Sequence, residues 1–251
     1  SGSPARVGDI GIMSDSIAVI GDLKKARGRT EIDATGMTVA PGFINMLSWA
    51  VESLIEDGRS MSDICQGVTL EVLGEGDSWG PWSESMKREM LSSQGDIKYD
   101  IEWTTLGEYL EYLENKGVST NIASFVGTST IRIHTVGYDN RPPTAEELDS
   151  MKLLVRQAME EGAIGVSSAL EYVPASFAST EELTELSRVA AEYDGMYISH
   201  IRNEDDIFLE AIDDFLRIPG STGIRSEIYH FKQVGRTNWD KLGKAAAMID
   251  S

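Results

Sequence analysis

A single cysteine, Cys65, among 251 residues leaves no partner for an intrachain disulfide. So few thiols suit a reducing compartment and point to the cytoplasm. No run of about 18 or more apolar residues occurs, the length that a membrane-spanning helix requires. The opening string SGSPARVGD also lacks the basic-then-apolar layout of a secretory leader, so a soluble protein is expected. Positive charge is scarce: 22 basic residues face 41 acidic ones, a formal net charge of −19. Such a surface repels polyanions, which argues against nucleic acid and membrane partners and leaves a small-molecule substrate. Histidine is rarer still, with three in the chain, so the position of each carries weight.

What is present reads as an ordinary globular protein, 41% hydrophobic and 25% charged, long enough for a large core. Residues 8–12, 17–22 and 30–36 read as short strands with Gly and Asp supplying the turns, a small β unit. From residue 41 onward, short apolar runs alternate with longer stretches of helical period, the pattern of parallel strands with helical crossovers. The expected strands are 43–47, 69–73, 121–126, 164–168, 196–199 and 227–229. Helices are expected at 106–115, 144–161, 180–193, 205–216 and 239–249. Thr144 with Glu147, and Ser179 with Glu182, have the spacing of capping boxes. Residues 77–100, with Trp79 and Trp82, read as a long loop on the catalytic face. About six βα units result, whereas a closed barrel of this type needs eight. The chain also starts without Met in strand-and-turn material, so a fragment of a longer protein is expected.

In a parallel barrel the chemistry sits where strands end. His200 ends one expected strand and His230 the next, and neutral imidazoles on neighbouring strand ends can converge on one divalent ion, zinc being the usual candidate for such nitrogen ligands. Each could equally be a histidine hydrogen-bonded inside the barrel. His134 reads as a loop residue. Glu75 follows the second strand and could add an oxygen ligand, or be one more solvated acid; Glu71, inside the strand, could point inward. Lys232 and Arg202, each two residues beyond a histidine, could hold a substrate carboxylate or pair with a neighbouring acid. Ser168 and Tyr172, with Ser167, could orient a polar substrate or simply form a turn.

The string VAPGFIN at 39–45 followed by Gly67-Val68-Thr69 resembles the opening of an amidohydrolase-superfamily domain. Four later segments, GAIGVSSALEYVP at 162–174, ASTEE at 178–182, YISHIRNE at 197–204 and YHFK at 229–232, are similar in order and spacing to the D-aminoacylase (N-acyl-D-amino-acid deacylase) family. The resemblance covers almost the whole chain. It implies a TIM-like (β/α) barrel of amidohydrolase type over 41–251, incomplete at its C-terminus. Residues 1–40 would form part of a small β-sandwich built from both chain ends. It further implies a zinc-dependent hydrolase, with one divalent metal, that cleaves an N-acyl-D-amino acid to a carboxylate and a free D-amino acid. On matching positions His200 and His230 would be metal ligands, and Lys232 and Tyr172 would contact substrate.

Three departures qualify that expectation. Where the superfamily has Asp-x-His-x-His, this chain reads Asn45-Met46-Leu47-Ser48-Trp49, which offers no imidazole, so one of two metal positions is expected to be empty. Where the deacylases carry a metal-binding cysteine in Gly-Asn-Cys-Gly, this chain has Gly74-Glu75-Gly76. The family's catalytic aspartate would lie beyond residue 251. Other readings are therefore a dipeptidase or cyclic amidase, a binding protein that keeps the fold without the chemistry, or a metal-free lyase using Lys232 as a Schiff-base amine. The acidic surface is compatible with a homo-oligomer.

Overall fold

The computed structural model describes residues 4–251 and divides into two compact units, one ending at Pro41 and the other spanning Gly42–Ser251. The first holds one antiparallel hairpin, β1 (Asp9–Met13) and β2 (Ser16–Gly21), with a bulge at Gly11/Ile12 and a two-residue connection in which Ser14 takes a positive φ of 58°. The strand expected at 30–36 does not form. Asp33 Oδ1 captures the Thr35 amide at 2.9 Å, and Met37 N donates to Ala34 O, so local turns take the groups that a ladder would need.

The second unit carries the parallel strands. They are β3 (Phe43–Asn45), β4 (Val68–Leu73), β5 (Asn121–Ser124), β6 (Val126–Gly127), β7 (Gly165–Ala169), β8 (Met196–His200) and β9 (Arg225–Ile228). One sheet runs β3-β4-β5 and the other β6-β7-β8-β9, every pair parallel and in sequence order. The expected strand at 121–126 is thus split at Phe125, a fully buried residue that donates its amide to Leu73 O. On either side of it the chain changes partner, from β4 to β7. The other five expected strands are all found, with ends shifted by a residue or two.

Helices fill the crossovers: α1 (Val51–Glu56), α2 (Met61–Ile64), α3 (Glu84–Ser93), α4 (Leu106–Lys116), α5 (Thr128–Thr135), α6 (Ala145–Glu160), α7 (Thr180–Ala191), α8 (Phe208–Thr222) and α9 (Leu242–Ile249). On α8 the buried residues Phe208, Ala211, Ile212, Phe215 and Ile218 form one stripe at helical spacing, and this stripe carries the helix six residues past its expected end. The expected loop at 77–100 contains α3, which Ser83 caps by accepting from Met86 N. Ahead of it, Trp79 and Trp82 are fastened by aromatic contacts, with ring centroids 5.7 Å apart and Trp82 6.1 Å from the buried Trp103. His134 is not in a loop but on α5, where burial lowers its pKa.

The two expected capping boxes differ. Thr144 and Glu147 form the reciprocal pair at the start of α6. At the start of α7, Ser179 accepts from Glu182 N, but the Glu182 carboxylate turns away to Arg132. Arg132 Nη1 lies 3.0 and 2.7 Å from its two oxygens, and the side chains are 0% and 3% exposed. Arg132 Nη2 also donates to the carbonyl of Asp139 at 3.1 Å. A buried acid is worth more to the fold as the partner of a buried guanidinium than as a helix cap. Removing one partner strands the other charge in the interior, which costs about 3–5 kcal/mol. Arg132→Met alone is expected to destabilise the protein by that amount in urea denaturation, whereas Arg132→Met with Glu182→Leu should recover most of the loss.

Candidate metal centre

The centre is built at the ends of β4, β8 and β9. After β4 the chain reads Gly74-Glu75-Gly76, with φ of +99° and +73° at the two glycines. A Cβ on Gly74 would stand 2.6 Å from Phe125 O, and one on Gly76 would stand 2.6 Å from the Ala169 Cβ. Only glycine permits this close, left-handed turn, and the turn aims Glu75 inward. His200 is the last residue of β8. His230 lies two residues beyond β9 with a φ of +31°, a strained conformation for a residue with a side chain.

These three residues converge. Glu75 Oε1 is 3.3 Å from His200 Nδ1 and 3.0 Å from His230 Nε2, and the two imidazole rings meet edge to face at 4.5 Å. A tetrahedral cation with ligands at about 2.0–2.1 Å has ligand–ligand edges of about 3.3–3.4 Å, so the spacing suits one such ion. The other carboxylate oxygen, Oε2, accepts from Trp49 Nε1 at 3.0 Å, which leaves Oε1 for the histidines. Trp49 thus occupies the end of the Asn45–Trp49 segment and contributes an indole hydrogen bond there.

A second layer of acids surrounds the rings. Glu204 Oε1 lies 3.2 Å from His230 Nδ1 and 3.6 Å from His200 Nε2, and Glu171 Oε2 lies 3.4 Å from His200 Nε2. His200 Nε2 is buried and makes no well-formed hydrogen bond among the described residues. The Lys232 ammonium pairs with Glu204 Oε2 and stands 3.1 Å from His230 Nδ1. Three carboxylates therefore gather around one ammonium and two imidazoles, a site short of positive charge. Glu71 stands apart: fully buried on β4, it accepts from Ser48, Ser60 and Thr120 hydroxyls at 2.7, 2.7 and 2.9 Å.

Of the other residues singled out from sequence, Tyr172 lies with its ring edge-on to His200 at 5.2 Å and is exposed. Lys232 reaches the same place through a turn, because β9 stops at Ile228 and strand alternation does not extend to it. Ser168 and Arg202 are not brought to the centre. Ala169 pairs with His200 across the sheet, so Ser168, beside Ser199, faces the other way and bonds to Tyr197 Oη and Ser199 Oγ, both at 2.8 Å. Arg202 clamps the carbonyls of Ser176 and Ala178, with Asp214 at 3.7 Å. Sequence reasoning missed Glu204, Glu171 and Trp49. Glu204 is four residues from His200, but with 41 acids in the chain no single one stands out. Asp77, also missed, lines a small pocket with Glu75, Trp49 and Tyr109. Burial among the cavity walls and the charge of Glu75 push its carboxyl up to about 6, against a hydrogen bond from Ser129.

The centre's electrostatics are mutual. Burial works to raise the Glu75 carboxyl, yet hydrogen bonds from His200, His230 and Trp49 bring it below its ordinary value. Burial opposes charge on His200 too, but Glu75, Glu204 and Glu171 raise its pKa above 6.5. A histidine with a raised folded-state pKa contributes stability that is complete below its unfolded value and is lost as pH rises through the folded one. Melting the protein in chelator should therefore show a loss of stability on going from mildly acidic to alkaline pH, and Glu75→Gln should flatten that dependence. An equally steep profile in the variant would contradict the assignment.

No family model matches the chain. It is 32% identical over 255 residues to a D-aminoacylase of Alcaligenes xylosoxydans xylosoxydans, covering 100% of this chain and 52% of that protein. It is 33% identical over 251 residues to the N-acyl-D-glutamate deacylase of the same organism, covering 99% and 51%. Among solved structures, an N-acyl-D-glutamate deacylase from Bordetella bronchiseptica, complexed with zinc and a phosphonate inhibitor, superposes with a TM-score of 0.86 at 32% identity over 100% of this chain and 52% of that one. The chain thus spans about half the length of the relatives it matches, and over that span both sequence and parallel α/β fold agree with theirs. Over that span the chain is similar to the D-aminoacylases and N-acyl-D-amino-acid deacylases.

Proposed function

We propose that the protein is a one-metal hydrolase that cleaves the amide of an N-acyl-D-amino acid. The observation that carries this reading is the convergence of Glu75 Oε1, His200 Nδ1 and His230 Nε2 within 3.3 Å of one another's shared oxygen, in a chain whose relatives are deacylases. The donor set fits a divalent ion, with zinc the expected metal: two neutral nitrogens and a carboxylate, with further acids behind them to balance charge. When bound, that ion supplies Lewis acidity toward an amide carbonyl and toward water. Glu75 takes the place of the family's cysteine, and Trp49, where the superfamily's second His would stand, leaves room for one metal rather than two.

In this reading Lys232 and Tyr172 receive the substrate. Both are open to solvent beside the histidines, and the Lys232 ammonium is the cation nearest the centre, suited to the carboxylate of an N-acyl amino acid. A bound carboxylate would share that ammonium with Glu204. The same reading assigns residues 41–251 to about six units of an eight-unit (β/α) barrel and residues 1–40 to part of a β-sandwich. The substrates are small molecules, and among the described residues no helix is long and apolar enough to cross a membrane.

His230→Ala is expected to lose both retained zinc, by elemental analysis, and release of free amino acid from N-acetyl-D-amino acids. A variant that keeps metal and activity would contradict the assignment. Lys232→Ala should raise KM by about tenfold or more with a smaller effect on kcat, because it removes binding to a group remote from the reacting amide. Retained zinc with no turnover on any N-acyl amino acid, dipeptide or cyclic amide would favour instead a binding protein, the alternative that the missing His-x-His pair suggests.

A further inference from the structure

We propose that Trp49 is a positioning residue: its indole N–H holds one oxygen of Glu75 and so keeps that carboxylate a one-oxygen ligand. The inference rests on the reading of Glu75, His200 and His230 as a metal centre. A carboxylate can meet a cation through one oxygen or through both, and rotation about its last bond carries it between the two. In Glu75 the choice is made by its partners. Oε1 lies 3.3 Å from His200 Nδ1 and 3.0 Å from His230 Nε2, while Oε2 accepts from Trp49 Nε1 at 3.0 Å. Among the described residues, Trp49 is the one donor hydrogen-bonded to Oε2. An indole N–H donates and offers no lone pair to a cation, so the oxygen it holds is turned away from the position that the three ligand atoms share.

Burial does not account for this tryptophan, which is 58% exposed among the described residues. The backbone on either side of it does. Ser48 N donates to Val72 O at 2.9 Å, Ser48 Oγ donates to Glu71 Oε2 at 2.7 Å, and Ala50 N donates in turn to Ser48 Oγ at 3.2 Å. Glu71 is itself fixed by the hydroxyls of Ser60 and Thr120 at its other oxygen. The fully buried acid of β4, which takes no part in the ligand set, thus clamps the segment after β3 against β4. The indole next in sequence to the clamped serine then meets the acid just beyond the end of the same strand. Glu71 and Glu75 therefore divide the work, one fixing the segment that carries Trp49 and the other being fixed by it.

Phenylalanine at position 49 keeps a ring and removes the N–H. In titrations of metal-stripped protein with Zn2+ against a chromogenic chelator, Trp49→Phe is expected to bind zinc about 10- to 100-fold more weakly, the usual cost of losing a partner that orients a ligand. With Co2+ in place of zinc, the wild type should show the strong visible absorption of a four-coordinate ion. Trp49→Phe should show a weaker one, because the freed Oε2 raises the coordination number. The thermal midpoint of the metal-free variant is measured alongside, since a merely structural role would lower it and leave the cobalt spectrum alone. Unchanged zinc affinity or an unchanged cobalt spectrum in a folded Trp49→Phe protein overturns the proposal. Should the variant fold poorly, a crystal structure of the zinc-loaded wild type decides the matter: Glu75 Oε2 on the indole is expected, and both Glu75 oxygens on the ion overturn the proposal. Failure of the wild type to bind zinc is a separate result, which overturns the metal-centre reading and takes the proposal with it.

Discussion

One carboxylate oxygen shared by two imidazoles is the constraint around which this structure is arranged. For Glu75 Oε1 to reach His200 and His230 at 3.3 and 3.0 Å, the ends of β4, β8 and β9 must face a common point. Parallel strands with helical crossovers do this, because every strand delivers its last residue to the same end of the sheet. The glycines beside Glu75 supply the remaining freedom: each takes a backbone conformation and an approach distance closed to other residues. At His230 no glycine is available, and a positive φ is borne by the histidine itself. Strain held at a ligand residue fits a site whose geometry matters more than its local comfort.

Buried carboxylates are costly, and the molecule accommodates them in three ways. Glu182 is met by a buried guanidinium, two oxygens against Arg132 Nη1. Glu71 is met by three hydroxyls, neutral donors that satisfy it without adding charge. Glu75, Glu171 and Glu204 share two imidazoles and one lysine; with both imidazoles neutral, three carboxylates face one ammonium, and a divalent ion would balance the two charges left over. The contrast separates structural acids from those of the centre better than burial alone, since Glu71 is the most buried of them and the least suited to a ligand.

Much of this was legible in the sequence, and the failures have physical causes. The parallel strands could be read because short apolar runs alternate with stretches of helical period, β7 and β8 being the most completely buried, and Glu75, His200 and His230 because each stands at or just beyond the end of an expected strand. The split at Phe125 could not be read, since a change of partner strand leaves the apolar run unbroken. Helices α1, α2 and α5 escaped because four to eight residues hold too few turns to show a period. The last of them reads Thr-Ser-Thr-Ile-Arg-Ile-His-Thr, a β-branched string held helical by its buried Ile131 and Arg132. Ser168 was misplaced by one residue of strand alternation, which sends it to the opposite face from His200. Trp49 meets a partner distant in sequence, Glu75, and Glu204, though four residues from His200, is one acid among 41, so nothing local marks either.

The central claim is that Glu75, His200 and His230 hold a single divalent ion. Anomalous diffraction at the zinc edge on zinc-loaded crystals tests it directly. The account predicts one peak, at about 2.0–2.2 Å from Glu75 Oε1, His200 Nδ1 and His230 Nε2. No peak after loading, or a peak on the Glu171 and Glu204 side of His200, would contradict it.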